Sequence, residues 1–257
     1  MKTLKRSMVL ALTLGFVLLV RAATAQTPEI RVLASNGMKA VLEELVPQCE
    51  RATGRRLTIQ FNTSAALKER IAAGEAFDVA IVTSDLIDSL IKEGKVAAAS
   101  RAGVARSGVG VGIRAGAPKP DIGTPDALKR TLLNAKAISY AQDGASRVHI
   151  VKMLDQLGIA EAVKGKTILE QGSVRSAGRV AKGDADVVMT LVSEILPIPG
   201  IELAGPFPAA VQSYVSFAAG IATKAGDPAA AKMLIGVLTG PAVAPTFKAR
   251  GMENRER

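Results

Sequence analysis

The chain has 257 residues, 33 of them basic and 23 acidic, with one cysteine, one histidine and no tryptophan. Aromatic residues make up 3%, and no block of lysines or arginines is interleaved with stacking rings, which argues against a nucleic-acid partner. A single cysteine excludes an intrachain disulfide, and one His with one Cys does not make an ordinary zinc site.

In chain order, Lys2, Lys5 and Arg6 precede 13 uncharged, largely apolar residues at 8–20, and Ala23-Thr24-Ala25 then offers a small-residue cleavage site. That is the layout of a secretory leader over 1–25, and the run is short of the roughly 20 residues a spanning helix needs. An exported chain without disulfides suits a bacterial periplasm. Four basic residues and no acidic one precede position 26, so the mature chain keeps 29 basic against 23 acidic residues. A modest basic surplus fits an anionic small molecule or a solvated face.

Residues 30–34 read as a buried strand, and apolar positions 38, 41, 42, 45, 46 and 49 form the stripe of a helix that holds Cys49 as a buried, inert thiol. Strand and helix then alternate: strand 57–61, helix 64–73, strand 79–82, helix 86–91. Small residues and glycines at 97–114 interrupt the pattern, with Gly108–Gly112 read as a hinge strand because no Lys-Ser/Thr follows to make a nucleotide loop. The alternation restarts at Thr124-Pro125-Asp126, a capped helix start. It continues as strand 137–141, helix 146–157, strand 167–169, helix 176–182 and strand 187–191. After an extended run at 214–221, Asp227-Pro228 starts helix 229–238 and Thr239-Gly240-Pro241 separates it from a last helix.

This alternation predicts an α/β fold with mostly parallel sheets flanked by helices. Two units joined near 104–114, with 214–221 carrying the chain back, predict two lobes on a two-strand hinge. The expected division is a leader at 1–25, a first lobe at 26–107, a second at 108–213, and a return strand with C-terminal helices of the first lobe at 214–257.

Three junctions run from an apolar strand through hydroxyl or amide residues into a helix: Leu33-Ala34-Ser35-Asn36-Gly37, Phe61-Asn62-Thr63-Ser64-Ala65 and Ala141-Gln142-Asp143-Gly144-Ala145-Ser146. Gly172-Ser173-Val174 is a fourth of looser form. Each puts a hydroxyl and N–H groups at a helix N-terminus, where negative charge is favoured. Taken singly, such a serine is an N-cap. Gathered at the carboxyl ends of parallel strands, they form an anion site.

The stretch from Phe61 through Leu67, Ile71-Ala72-Ala73-Gly74, Asp78 and Val79 resembles the second-strand region of periplasmic molybdate-binding proteins. Those belong to the type II periplasmic binding proteins that serve ABC importers. The resemblance implies a two-lobed type II fold, a small anion as ligand, a membrane ABC permease as partner, no cofactor, and a monomer. Carried over by position, it implies contacts from the hydroxyls and N–H groups of Ser35 and Ser64 and from the N–H groups of Ser146 and Val174. Asn36 and Thr63 stand beside these positions.

The chain departs from that pattern at three places. Met189 stands where the family has a Tyr, Asn36-Gly37 replace an apolar continuation, and Arg147 stands where Gly is common. A guanidinium there can fork onto a carboxylate, which suits an organic acid better than a compact oxyanion. The pattern is also similar to periplasmic isomerases of unsaturated tricarboxylates, of the aconitate isomerase type. On that alternative His149 moves a proton between carbons with Arg147 beside it, Glu194 and Asp143 being weaker candidates.

Overall fold

The computed structural model describes residues 29–254; the expected leader lies outside them. The first unit runs β1 (Glu29–Ser35), α1 (Lys39–Thr53), β2 (Arg56–Asn62), α2 (Ser64–Ala72), β3 (Val79–Thr83) and α3 (Ser84–Lys92). β1 pairs in parallel with both β2 and β3, as helical crossovers require. β3 is buried along its whole length because helices cover both faces, whereas the edge strand β2 alternates exposed and half-buried positions. The α1 stripe Val41, Leu42, Leu45 and Cys49 is buried against one face of the sheet. Leu67, Ile71, Ile87 and Leu90 from α2 and α3 pack with Leu33, Ala80 and Val82 of its other face.

β4 (Ala102–Arg114) is a 13-residue strand where the sequence suggested a glycine-rich break before a short hinge strand. Its first half pairs antiparallel with β9 (Tyr214–Ile221), and its second half with β7 (Val187–Leu191) and β8 (Ile201–Pro206). One strand thus serves both halves of the molecule. The glycines in it permit close packing: a Cβ at Gly112 would lie 2.8 Å from Val188 Cγ1 and 3.0 Å from Ile201 Cγ2.

The second unit adds α4 (Pro125–Asn134), β5 (Ile138–Ala141), α5 (Arg147–Gln156), α6 (Ala160–Lys164), β6 (Thr167–Glu170), α7 (Ser173–Lys182) and the short α8 (Val192–Ile195). β5 pairs in parallel with β6 and β7. After β9 come α9 (Pro228–Thr239), α10 (Ala244–Ala249) and β10 (Met252–Asn254), which returns antiparallel to β4. The strand order is β2-β1-β3-β9-β4-β7-β5-β6, with β8 and β10 pairing β4. The result is a type II periplasmic binding protein fold with two mostly parallel half-sheets joined through β4 and β9.

Candidate functional site

The parallel strands β1 and β3 of one half and β5 and β7 of the other end where their helices begin, and in such folds that edge carries ligands. A cavity of about 890 Å³ lies there. Ser64, Ser84 and Asp85 form one wall, Asp143, Arg147 and His149 the other, and residues 214–216 at the start of β9 close it. A second cavity, of about 660 Å³, opens elsewhere on the second half among Arg114, Arg130 and Lys136, and gathers none of the residues the sequence singled out.

Ser35 ends β1 in extended backbone, 4% exposed, and its hydroxyl makes no capping bond to the following 3-10 turn Asn36–Met38. In the next junction the two hydroxyls divide their work. Thr63 is the N-cap of α2, accepting from the Ala66 N–H at 3.3 Å. Ser64, the first helical residue, instead accepts from the Thr83 N–H at 3.2 Å, tying α2 to the end of β3. Thr63 is therefore occupied with the helix, and neither it, Asn36 nor Ser35 lines the cavity.

Ser146 precedes α5, is 1% exposed, and its hydroxyl has no hydrogen-bond partner among the described residues. Ser146 itself does not line the cavity, whereas Ser84, whose hydroxyl is in the same condition, does. Buried hydroxyls left unpaired are uncommon and call for a partner. The Arg147 N–H donates to the Gly144 carbonyl at 3.0 Å, so that amide serves the turn. The exposed guanidinium donates through Nη1 to the Gln142 carbonyl at 3.1 Å, which orients the fork at the cavity mouth and leaves its other donors available. His149 is half-buried in the same wall, and burial, with Lys152 adding to it, pushes its pKa below the ordinary value. The shift favours the neutral imidazole.

Val174 is 70% exposed on the first turn of α7 and does not line the cavity. Its neighbours connect to it more closely: the Asp143 carboxylate accepts from the Gly172 N–H at 2.8 Å, joining the β5–α5 and β6–α7 junctions. Met189 is fully buried in the core, and because side chains alternate along a strand the polar residue at the end of β7 is Thr190, hydrogen-bonded to Glu194. Sequence reasoning passed over Ser84 and Asp85. The signal was present, since Thr83-Ser84-Asp85 after the apolar run 79–82 repeats the strand–hydroxyl–helix design of the other junctions.

A two-halved α/β protein with such a cleft has the build of a solute-binding protein, and the profile of the bacterial extracellular solute-binding proteins matches residues 30–253. The chain belongs to that family. It is 31% identical over 255 residues to an aconitate isomerase from a Pseudomonas species, covering 94% of this chain and 95% of the other. It is 27% identical to the molybdate-binding protein ModA of Azotobacter vinelandii, covering 90% and 92% respectively. The solved structure of the periplasmic molybdate-binding protein from Azotobacter vinelandii superposes with a TM-score of 0.74 at 19% identity, over 87% of this chain and 98% of that one. The sulfate-binding protein SubI of Mycobacterium tuberculosis gives 0.68 at 19% identity, over 88% and 86%.

Proposed function

We propose that this is a periplasmic solute-binding protein that captures a small organic anion, a di- or tricarboxylate, in the cleft and delivers it to a membrane ABC importer. Residues 26–107 with 214–257 act as one lobe and 108–213 as the other, closing on the ligand about the β4–β9 crossing. The observation that carries the reading is the Arg147 guanidinium at the mouth of a cavity opposite Ser64 and Ser84. A planar fork recognises a carboxylate through two parallel bonds, and hydroxyls with helix N-termini complete the recognition of a second carboxylate. Asp85 and Asp143 in the walls oppose a compact dianion and favour a ligand whose charge is spread over a carbon frame.

A second reading, an isomerase of unsaturated tricarboxylates on the same scaffold, is favoured by His149. It is an imidazole in the cavity wall, its pKa pushed down by burial, in a chain 31% identical to an aconitate isomerase. A neutral imidazole accepts a proton from an allylic carbon and returns it to another position of the same ligand.

Isothermal titration with cis-aconitate, trans-aconitate, citrate, molybdate and sulfate tests the binding reading. A micromolar carboxylate with weak molybdate supports it, and tight molybdate with no carboxylate refutes it. Incubating the aconitates with the protein in deuterated buffer then separates the two readings. Interconversion with solvent exchange makes it an isomerase, and binding without exchange a carrier.

A further inference from the structure

The chain has two tyrosines, and the fold treats them in opposite ways. Tyr140 on β5 is buried in the core, whereas Tyr214, the first residue of β9, is 44% exposed and lines the cavity. Among the described residues the Tyr214 hydroxyl has no hydrogen-bond partner. A phenol carries an apolar ring with a polar tip, and that tip is both donor and acceptor.

An exposed side chain at a strand start is ordinarily free to turn, but this ring is held. In the β4–β9 register Gly108 faces Tyr214 and Arg106 faces Ser216, so Arg106 stands diagonally across from Tyr214 on the same face of the sheet. The Arg106 guanidinium carbon lies 4.4 Å from the centroid of the Tyr214 ring, well within cation–π reach. On its other flank Arg106 faces Glu253 of β10, and its Nε donates to the Glu253 carboxylate at 2.7 Å. Glu253, Arg106 and Tyr214 thus form a row across three neighbouring strands. Ser216, opposite Arg106, also lines the cavity, so this face of the sheet fronts the cleft. Glu253 balances the Arg106 charge, which leaves the pair to fix the ring rather than to attract an anion.

We propose that Tyr214 is a specificity-determining residue of the cleft, its phenol O–H donating to a carboxylate oxygen of the ligand from the β9 wall, with Arg106 and Glu253 as positioning residues. A ring already held in place loses less side-chain freedom on making that bond. Arg147 belongs to the α5 wall and Tyr214 to the wall that closes the cavity, so a ligand with carboxylates on separate carbons serves both. This deepens the reading that the cleft binds a di- or tricarboxylate, and rests on it.

The chain has no tryptophan, so its tyrosine emission comes from Tyr140 and Tyr214 alone. The test titrates the mature chain with trans-aconitate and citrate by calorimetry and by tyrosine emission, in wild type, Tyr214→Phe, Arg106→Met and the double variant. Tyr214→Phe should bind about 2- to 12-fold more weakly, the loss of one hydrogen bond, and should lose most of the emission change that wild type shows. Arg106→Met should weaken binding by itself and add no further loss to Tyr214→Phe, as expected of a residue that acts through its neighbour. Equal affinities in wild type and Tyr214→Phe overturn the inference and leave the carboxylate reading standing. Losses that simply add overturn the positioning role of Arg106. If wild type binds neither carboxylate, the carboxylate reading fails and takes this inference with it. Should Arg106→Met not fold, Tyr214→Phe alone decides the role of the phenol.

Discussion

The Ser193 hydroxyl donates to the Gly37 carbonyl at 2.9 Å, so the β7–α8 junction of one half is bonded to the β1–α1 junction of the other. The Ser193 N–H in turn donates to the Ser107 hydroxyl of β4 at 3.2 Å. Gly37 also packs under Phe217: a Cβ there would lie 2.6 Å from the ring Cζ and 3.0 Å from Leu191 Cδ1. Phe217 is fully buried. Gly37→Ala should therefore destabilise the protein by about 1–3 kcal/mol, the usual cost of overpacking. Urea denaturation monitored by circular dichroism checks this, and an unchanged midpoint would show that the ring moves freely.

The buried Asp78 clamps three segments. It accepts from the Arg31 N–H at 2.8 Å, from Arg31 Nε at 3.1 Å and from the Gly226 N–H at 2.9 Å. Burial alone would raise its pKa, but these bonds outweigh burial and hold the carboxyl below the ordinary range. A carboxylate with a depressed folded value stabilises above its unfolded pKa, about 3.8, and loses that contribution as pH falls through the folded value. Asp78→Ala should cost about 1.5–3 kcal/mol at pH 7, the range for hydrogen bonds to a charged group. The difference from wild type should shrink below about pH 4, and a constant gap down to pH 2 would contradict the assignment.

Glu194 predicts the opposite slope. Its folded pKa is raised, so below about pH 4.5 both states are protonated and no penalty exists. As pH rises above that value the unfolded chain ionises first, and stability falls until the folded carboxyl ionises as well. Without ligand, Glu194→Gln should match wild type in acid and become the more stable protein towards neutrality. Melting temperatures measured from pH 4 to 8 check this, with parallel curves as the contrary result.

Ser35 and Ser64 separate stability from binding. Ser35 makes no capping bond and does not line the cavity, so Ser35→Ala should leave both the melting temperature and the anion affinity nearly unchanged. Ser64→Ala removes the acceptor of the Thr83 N–H and should lower stability as well as affinity. Paired melting and titration curves on the two single mutants check the split. An affinity loss in Ser35→Ala, or none in Ser64→Ala, would contradict the split.

Much of this was readable in the sequence because one rule, strand periodicity giving way to helix periodicity, governs both halves. The apolar run 79–82 became β3, and Thr124-Pro125 and Asp227-Pro228 became helix starts with the side-chain caps that such pairs imply. The long β4 was harder to read. Its glycines weaken any strand signal, and they are there because β7 and β8 pack against that face, a tertiary reason. At the site, residue type identified the hydroxyl junctions but not the direction of each side chain. Only the fold shows that Thr63 caps α2 while Ser64 reaches β3, or that strand alternation buries Met189 and leaves Thr190 to meet Glu194.

The central claim is that the cleft recognises a carboxylate through Arg147. The most direct measurement is the dissociation constant of trans-aconitate for wild type and Arg147→Ala, with molybdate titrated alongside. Arg147 is exposed and among the described residues its guanidinium bonds the Gln142 carbonyl, so removing the side chain should barely move the melting temperature. Loss of a charge-assisted hydrogen bond predicts affinity weaker by about 1.5–3 kcal/mol, roughly 10- to 150-fold. Trans-aconitate bound equally by both proteins, or molybdate bound tightly by both with no carboxylate binding, would contradict the account.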